Sequence, residues 1–309
     1  MNERAAPELV YRQYDRAALD REYDNQAKIG VDQFRSFLQH CQAMNDRARK
    51  RWRFKLDVPY GRSTAESVDL FFPDAAGPAP VEVFFHGGYW RMMDKRDFSY
   101  IADGFGPHGR LTVIVNYALV PTVSLDELVA QCQRAMAWVH RSIAGFGGDP
   151  GQVSISGHSA GGHIVAMLLA AGWEEQRGTQ PRGIVRAATA LSGLYDLEPI
   201  RLGFLNDILG LSLEVAERNS PCRLRPRIRA PLLLGVGGRE GTEYIRQSKE
   251  FAAAWAAEGY APALQIFEQD DHFTLREQLG DPESAVVSSM MRQRKSLGGD
   301  AASRSAYEG

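Results

Sequence analysis

Residues 153–171 read VSISGHSAGGHIVAMLLAA, and this stretch decides how the whole 309-residue chain is interpreted. It holds the pattern G-x-S-x-G with its serine at position 159, between an apolar run at 153–156 and a longer one at 162–171. The first run has the length of a strand and the second the length of a helix. A strand, a tight turn and a helix are the setting in which this pattern presents a nucleophilic serine. Ser159 is therefore the candidate nucleophile.

The residue types around Ser159 fit such a turn. Gly157 and Gly161, two positions to either side, let neighbouring backbone approach without a clash. The helix that follows points its N-terminus at the serine, so backbone N–H groups and a partial positive charge lie nearby. These groups stabilise the oxyanion that forms when a serine attacks a carbonyl carbon. The alternative is a glycine-rich helix start with a capping serine.

Apolar runs on either side of this stretch predict further strands and helices. The predicted strands are 67–72, 81–85, 111–115, 185–191, 232–236 and 264–267. The predicted helices are 97–107, 124–143 and 243–257. This alternation favours an α/β fold with a mostly parallel central sheet and helices on both faces. The nearly continuous apolar strands fit a sheet that is covered on both sides.

Three segments are expected along the chain. Residues 1–55 are polar with scattered aromatic side chains, and the apolar residues at 34–44 follow helical spacing. We expect this segment to be an N-terminal helical cap near the active site. Residues 56–291 are expected to form the catalytic domain. Residues 292–309 contain glycines and small polar residues and are expected to be a flexible tail.

Composition narrows the functional classes. The formal net charge is −2 and no basic stripe is present, which argues against nucleic-acid binding. No apolar run approaches the roughly 20 residues of a membrane helix, and the N-terminus lacks the apolar core of a secretory signal. Cys41, Cys132 and Cys222 are widely spaced and odd in number, which argues against a disulfide framework or a CxxC metal site. We expect a cytoplasmic protein that acts on a small molecule, and the sequence leaves a homodimer open.

A second motif, HGGYW at residues 86–90, directly follows a predicted strand. Its two adjacent glycines free the backbone to turn and to aim N–H groups inward. The amides of Gly87 and Gly88, with that of Ala160, are therefore candidates for an oxyanion hole. An ordinary Gly-Gly turn is the alternative. We expect His86 to brace the loop.

A neutral serine needs an adjacent base. Chains with this nucleophile motif on a strand–turn–helix carry the nucleophile, the acid and the histidine in that order. Of the seven histidines, only His163 and His272 follow Ser159. His163 is tied to the helix after the turn, whereas His272 follows the last predicted strand, where a loop can reach back over the sheet. His272 is the predicted base, with a solvated loop histidine as the alternative.

The acid is expected in the loop after the preceding predicted strand. Glu240 is the candidate there, because Glu243 fits the start of the next helix, where acidic residues are favoured. Asp270 and Asp271 are too close to His272 in sequence to orient its far nitrogen easily. The acid would fix the imidazole tautomer and stabilise the imidazolium.

Several motifs together carry a family resemblance: HGGYW at 86–90, GGDP at 147–150, GHSAGG at 157–162, LSGLYDLEPI at 191–200 and EYIRQSKEF at 243–251. They resemble the kynurenine formamidases and their bacterial arylformamidase-like relatives, in the HGG esterase/lipase branch of the α/β-hydrolase superfamily. The resemblance runs from about Arg12 to Thr274. It implies the α/β-hydrolase fold, no metal or organic cofactor, a triad of Ser159, Glu240 and His272, and an oxyanion hole from Gly87, Gly88 and Ala160.

The resemblance also implies hydrolysis of an aryl formamide such as N-formylkynurenine, or of an ester, through an acyl-serine intermediate. These formamidases commonly carry Asp at the acid position, where this chain has Glu240. Tyr89 and Trp90 are candidate substrate-binding walls, although a core role for Trp90 is equally compatible. Arginines near the site could hold a substrate carboxylate, and the sequence does not identify which. A general short-chain carboxylesterase and a non-catalytic binding protein of the same fold are the alternatives.

Overall fold

The computed structural model describes residues 8–171 and 185–304. Eight strands within these residues form one sheet in the order β1-β2-β4-β3-β5-β6-β7-β8. They are β1 Arg53–Pro59, β2 Ser67–Phe72, β3 Ala79–Phe85, β4 Leu111–Val115, β5 Gly148–His158, β6 Ala187–Leu191, β7 Leu232–Gly237 and β8 Ala263–Phe267. From β4 to β8 in this order, neighbouring strands are parallel, and only β2 runs against its neighbours. The predicted α/β-hydrolase fold with a mostly parallel sheet is confirmed.

Within the described residues, three helices precede β1, and each strand from β3 onward is followed by at least one helix. The helices are α1 Arg16–Tyr23, α2 Asn25–Ile29, α3 Val31–Arg51, α4 Ile101–Phe105, α5 Leu125–Ser142, α6 Ala160–Ala171, α7 Glu198–Leu202, α8 Asn206–Leu209, α9 Leu213–Arg218, α10 Thr242–Ala257, α11 His272–Glu277 and α12 Ala285–Arg304. Ser124 caps α5 by accepting the N–H of Glu127, as its position before the apolar periodicity predicts. No helix within the described ranges is both long and apolar enough to cross a bilayer.

Successive side chains of the central strands enter two separate apolar cores. Val83 and Phe85 of β3 pack in the core that includes α5, α6 and α10. Phe84, between them, packs in the opposite core with α4 and α12. Because strand side chains alternate between the two faces, this division shows that both faces of the sheet are covered. It also explains why the strand reads as an unbroken apolar run.

The structure differs from the sequence expectations at an edge of the sheet and in one helix. The boundary expected between residues 55 and 56 falls inside β1, which pairs with β2 and was not predicted. β1 is an edge strand whose residues are mostly exposed, so it lacks the apolar run that marks the inner strands. The predicted helix 97–107 is divided into α4 and flanking 3₁₀ turns, the second of which contains Pro107 and cannot continue the α-helical ladder there.

The C-terminal segment continues as helix. Residues 292–304 belong to α12, whereas 305–309 lie outside the described residues. The expected flexibility of this segment stays a prediction.

Candidate active site

The candidate site lies at the carboxyl ends of the parallel strands. Ser159 follows β5, the HGGYW loop follows the adjacent β3, Glu240 follows β7 and His272 follows β8. Side chains that are distant in sequence meet at this edge because the strands run in one direction. Ligands of open α/β sheets bind at this same edge.

Ser159 occupies a strained turn between β5 and α6. Its φ of +59° lies in the left-handed region, which residues other than glycine rarely adopt. Its N–H donates to the carbonyl of Leu191 at 2.8 Å, and its own carbonyl accepts the N–H of His163 at 3.1 Å. These bonds to β6 and α6 hold the turn in place.

The glycines of the G-x-S-x-G pattern are required by close backbone contacts. A Cβ on Gly157 would lie 2.2 Å from the carbonyl oxygen of Gly161. A Cβ on Gly161 would lie 1.9 Å from the carbonyl oxygen of Phe85. Both distances are far below van der Waals contact, so a side chain at Gly161 would push the turn away from β3, and one at Gly157 would distort the turn itself.

The loop after β3 packs directly against the candidate nucleophile. A Cβ on Gly87 would lie 3.2 Å from the Cβ of Ser159, and Gly88 has a φ of +113°. His86 braces the loop as expected, because its Nδ1 contacts the carbonyl of Gly87 at 2.8 Å and its ring stacks on Tyr117 at 4.2 Å. The backbone of this loop therefore lies beside Ser159, where an oxyanion would form.

The amide of Ala160 comes from a different element. Ala160 is the first residue of α6 and is fully buried. The first N–H groups of a helix have no intrahelical acceptor, so this amide is free to bind an anion. The assignment of Gly87, Gly88 and Ala160 as an oxyanion hole stays a prediction.

His272 and Glu240 are in direct contact. The Nδ1 of His272 lies 2.7 Å from Oε2 of Glu240. The other carboxylate oxygen, Oε1, accepts the N–H of Gly237 at 2.6 Å and the hydroxyl of Ser192. With both of its oxygens occupied, the carboxylate is fixed, and a proton on Nδ1 leaves Nε2 free to accept another.

Burial sets the charge states of this pair. Burial, with the positive charges of Lys28 and Arg276, lowers the pKa of the His272 imidazole, so the ring is neutral near pH 7. Burial raises the pKa of Glu240 to about 7, and the hydrogen bonds from Ser192 and Gly237 oppose that shift because they stabilise the ionised form. A neutral imidazole held by a hydrogen-bonded carboxylate can serve as a general base.

The other acidic candidates have different partners. Asp271 caps α11 by accepting the N–H groups of Phe273 and Thr274. Asp270 accepts a hydrogen bond from the side-chain amide of Gln278 at 2.6 Å. Glu243 lies in the first turn of α10, where it accepts from the guanidinium of Arg246 and the hydroxyl of Tyr23. Glu240 is thus the acid in contact with His272.

His163 does not face the candidate nucleophile. Its Nδ1 accepts the indole N–H of Trp90 at 3.2 Å, and its Nε2 contacts the carbonyl of Asn219 at 2.8 Å. Burial lowers its pKa to about 4, which keeps the ring neutral. With both nitrogens occupied in the core, His163 is unavailable to Ser159.

Ser159 and His272 line the same cavity, which has a volume of about 290 Å³. Gly87, Gly88 and His158 also border it. Its apolar and aromatic lining comes from four parts of the chain: Tyr23 and Phe34 of the N-terminal helices, Tyr89, Met92 and Met93 of the HGGYW loop and its continuation, Phe204 and Leu205 between α7 and α8, and Phe273 of α11. Such a space fits a small organic molecule with an aromatic part.

Tyr89 lines the cavity, as expected, but Trp90 does not. The hydroxyl of Tyr89 donates to the carbonyl of Tyr23 at 2.7 Å and lies 2.6 Å from the hydroxyl of Tyr244. Trp90 is fully buried in the core, with its ring edge-on to His163 at 4.9 Å. The structure does not place Trp90 in the substrate-binding wall: its indole is buried and hydrogen-bonded to His163, so Trp90 takes the core role that the sequence left open.

Residues of the N-terminal helices were missed by sequence reasoning. Asn25 donates to the hydroxyls of Tyr89 and Tyr244, and Lys28 donates to the backbone carbonyl of Glu240. These contacts join residues more than 60 positions apart, and no local pattern marks them. The helical periodicity of this segment predicted helices but not their partners.

The chain is similar to several known hydrolases. The chain is 29% identical to the kynurenine formamidase of Danio rerio over 84% of this chain and 89% of that protein. It is 30% identical to the kynurenine formamidase of Salmo salar over 80% of this chain and 84% of that protein. The model of the carboxylesterase family matches residues 129–197, which include Ser159.

A solved structure is also similar to this chain. It is a protein of Silicibacter sp. TM1040 provisionally described as a thioesterase, with a TM-score of 0.77 and 29% identity. The alignment covers 87% of this chain and 97% of that one. The names of all these proteins denote hydrolases that act on a carbonyl carbon.

Proposed function

The chain belongs to the kynurenine formamidase family of serine hydrolases, and from that membership we propose that its substrates are aryl formamides of the N-formylkynurenine kind. The observation that carries the proposal is the contact of 2.7 Å between His272 and Glu240 beside the cavity that Ser159 lines. The apolar and aromatic cavity walls support an aryl group in the part of the substrate that leaves.

In the proposed mechanism, Nε2 of His272 takes the hydroxyl proton of Ser159 as its oxygen attacks the formyl carbon. Glu240 stabilises the imidazolium that results. The tetrahedral oxyanion rests on the amides of Gly87, Gly88 and Ala160. The imidazolium then gives its proton to the departing arylamine, which leaves a formyl-serine ester.

Hydrolysis of the formyl-serine completes the cycle. A water molecule gives a proton to His272 and attacks the formyl carbon, and the second oxyanion occupies the same backbone donors. Its collapse returns the proton to Ser159 and releases formate. The close packing of Gly87 against Ser159 supports a small acyl group, and formyl is the smallest.

The test is a comparison of kcat/KM for N-formylkynurenine and for p-nitrophenyl acetate, with Ser159→Ala as the control. We expect the formamide to be hydrolysed and Ser159→Ala to lose about 10⁴-fold or more in kcat on both substrates. An intact enzyme that hydrolyses the ester but not the formamide would contradict the formamide assignment. Equal activity in Ser159→Ala would contradict the role of the serine.

A short-chain carboxylesterase is the second candidate. The match of the carboxylesterase family model across the nucleophile turn favours it. The same mechanism serves both substrates, because an alcohol can leave in place of the amine. A kcat/KM that is at least 100-fold higher for the ester would favour this second candidate.

We also propose a cytoplasmic location. Cys41, Cys132 and Cys222 are all free thiols, and the first two are buried, which supports a reducing compartment. Fractionation of the source cells, with antibody detection of the untagged protein, tests this. Recovery in an extracytoplasmic fraction would contradict the proposal.

A further inference from the structure

Arg276 carries a buried positive charge that has no carboxylate partner. The residue is 5% exposed and lines the cavity beside Ser159 and His272. Within the described part of the chain, no Asp or Glu oxygen lies within 4.0 Å of its guanidinium. Its polar neighbours are the Sγ of Cys41 at 3.1 Å, the Sδ of Met93 at 3.7 Å and the hydroxyl of Tyr100, and its Nε has no hydrogen-bond partner.

This environment holds the guanidinium in place without neutralising it. The rings of Phe37 and Phe98 lie 4.3 and 5.2 Å from its central carbon. Aromatic faces attract a cation, but sulfur atoms are weak acceptors for five N–H donors. Glu277, the next residue, acts on the charge through space without an ion pair. Buried charges are normally paired and hydrogen-bonded, so Arg276 is a candidate for binding an anion.

A second unpaired guanidinium borders the same cavity. Arg91 is half-buried, and its Nε is buried without a hydrogen-bond partner. Asp24 is the one acidic residue among those that line this cavity. Its carboxylate accepts the backbone N–H of Ala27 at 3.0 Å, and it makes no ion pair with either arginine. The net charge of the residues that line this cavity is therefore positive.

Arg276 is also placed well to act on a substrate. It follows His272 by four residues on α11, so the two side chains lie on one face of that helix. Arg91 lies three residues after Gly88 of the candidate oxyanion loop, in a tight turn in which its N–H donates to the carbonyl of Gly88. A carboxylate bound by the arginines would therefore lie in the same cavity as Ser159 and His272.

We propose that Arg276, with Arg91 as a second donor, forms a carboxylate-binding subsite that selects substrates whose leaving group carries a carboxylate. This inference rests on the proposed formamidase function, because a formyl acyl group has no place for a charge, which leaves only the amine side. A guanidinium can donate two parallel N–H bonds to one carboxylate, which fixes both its position and its orientation. Arg276 is thus a specificity-determining residue.

The experiment compares N-formylkynurenine with the analogue in which a carboxamide replaces its carboxylate. We expect the wild type to prefer the carboxylate at least tenfold in kcat/KM. Arg276→Met should reduce this preference at least tenfold, mainly through a higher KM for the carboxylate substrate. Met suits the apolar and sulfur-rich surroundings, so we expect this variant to fold.

Three further variants sharpen the result. Arg91→Met should reduce the preference by about three- to tenfold. Arg225→Met is the matched control, because the side chain of Arg225 is 83% exposed and paired with Glu258 away from the cavity, and it should leave the preference unchanged. Arg276→Lys keeps the positive charge but loses the planar guanidinium, which can donate two parallel N–H bonds to a carboxylate. It should reduce the preference at least threefold.

The outcomes separate the two proposals. A second pair of substrates, phenyl acetate and 3-acetoxybenzoate, tests the subsite on an ester. The two esters differ by one carboxylate, which 3-acetoxybenzoate carries on its leaving group. If neither formamide is hydrolysed but Arg276→Met removes a preference for 3-acetoxybenzoate, the formamidase proposal fails and the subsite stands. If the wild type shows no preference for the carboxylate, or if Arg276→Met retains it, the subsite is wrong. Should Arg276→Met not fold, an unchanged preference in Arg276→Lys and Arg91→Met overturns it equally.

Discussion

The side-chain amine of Lys28 donates a hydrogen bond to the backbone carbonyl of Glu240 at 2.6 Å. The same amine donates to the carbonyl of Glu22, also at 2.6 Å. One side chain thus ties the N-terminal helices to the loop that holds the proposed catalytic acid. The N-terminal segment therefore contributes to the position of Glu240 as well as to the wall of the cavity.

Lys28→Met should lower both activity and stability. It removes the two hydrogen bonds that fix the Glu240 loop, so we expect a loss of about three- to tenfold in kcat and about 0.5–1.5 kcal/mol in the free energy of unfolding. Steady-state kinetics and urea unfolding measure the two effects. Lys50→Met, at an exposed position of α3, is the control and should change neither. Unchanged kcat in Lys28→Met would show that the tether does not position the acid.

The acid limb of the pH profile should report the His272–Glu240 pair. Catalysis needs a neutral His272 and an ionised Glu240. Burial lowers the pKa of His272 but raises the pKa of Glu240 to about 7, so activity should be present above about pH 7 and be lost as the pH falls through the pKa of Glu240. The positive charge of Lys28 lowers both pKa values, so its removal in Lys28→Met should move the limb to higher pH. The readout is kcat/KM for a neutral ester between pH 4 and pH 9, and a Lys28→Met limb at the wild-type pH or below contradicts this assignment.

Glu240→Asp should be active but impaired. The shorter side chain cannot keep both the contact with His272 and the hydrogen bonds from Gly237 and Ser192, so we expect a loss of about 10- to 100-fold in kcat. Glu240→Gln, which cannot stabilise the imidazolium, should lose about 10⁴-fold. Kinetics on one ester substrate compare the two variants. A Glu240→Gln enzyme with wild-type kcat would remove Glu240 from the mechanism.

Gly87→Ala should impair catalysis with little loss of stability. The added Cβ would lie 3.0 Å from the carbonyl oxygen of His158 and 3.2 Å from the Cβ of Ser159, so the loop must shift by a few tenths of an ångström. Displacement of the candidate oxyanion donors should cost about 10- to 100-fold in kcat. Gly77→Ala is the matched control, because a Cβ at Gly77 meets only open space. Thermal unfolding measures the stability of both variants, and steady-state kinetics measure their kcat. A Gly87→Ala variant with full activity would contradict the role of this loop in stabilising the oxyanion.

Local patterns were sufficient to predict much of the fold and the site. The strand, turn and helix around Ser159 follow from residues within twelve positions of it, and the apolar runs marked the inner strands. β1 was missed because an edge strand needs no apolar run. The pairing of His272 with Glu240 was predicted from the order of nucleophile, acid and histidine along the chain and from their positions after the last two strands. The distance between the two side chains could not be predicted in this way.

Contacts between distant segments could not be predicted in the same way. Arg276 lacks a counter-charge only because Phe37, Cys41 and Phe98 surround it, and these residues lie about 180 to 240 positions earlier in the chain. The inward turn of Trp90 depends on a backbone conformation that aromatic residues rarely adopt. The spacing of residues in the sequence predicts neither the missing counter-charge of Arg276 nor the inward orientation of Trp90.

Trp90→Phe separates a core role from a role in substrate binding. The indole N–H of Trp90 donates to Nδ1 of His163 in the core, and its loss leaves that buried nitrogen without its donor. An unsatisfied buried acceptor, with the smaller ring, should cost about 1–3 kcal/mol in the free energy of unfolding. KM should stay within about twofold, because Trp90 does not border the cavity. Trp138→Phe, whose ring packs on Phe146, is the control for ring size and should cost less. Urea unfolding and KM for an aryl substrate measure the two effects, and a raised KM with unchanged stability would restore Trp90 to the substrate-binding wall.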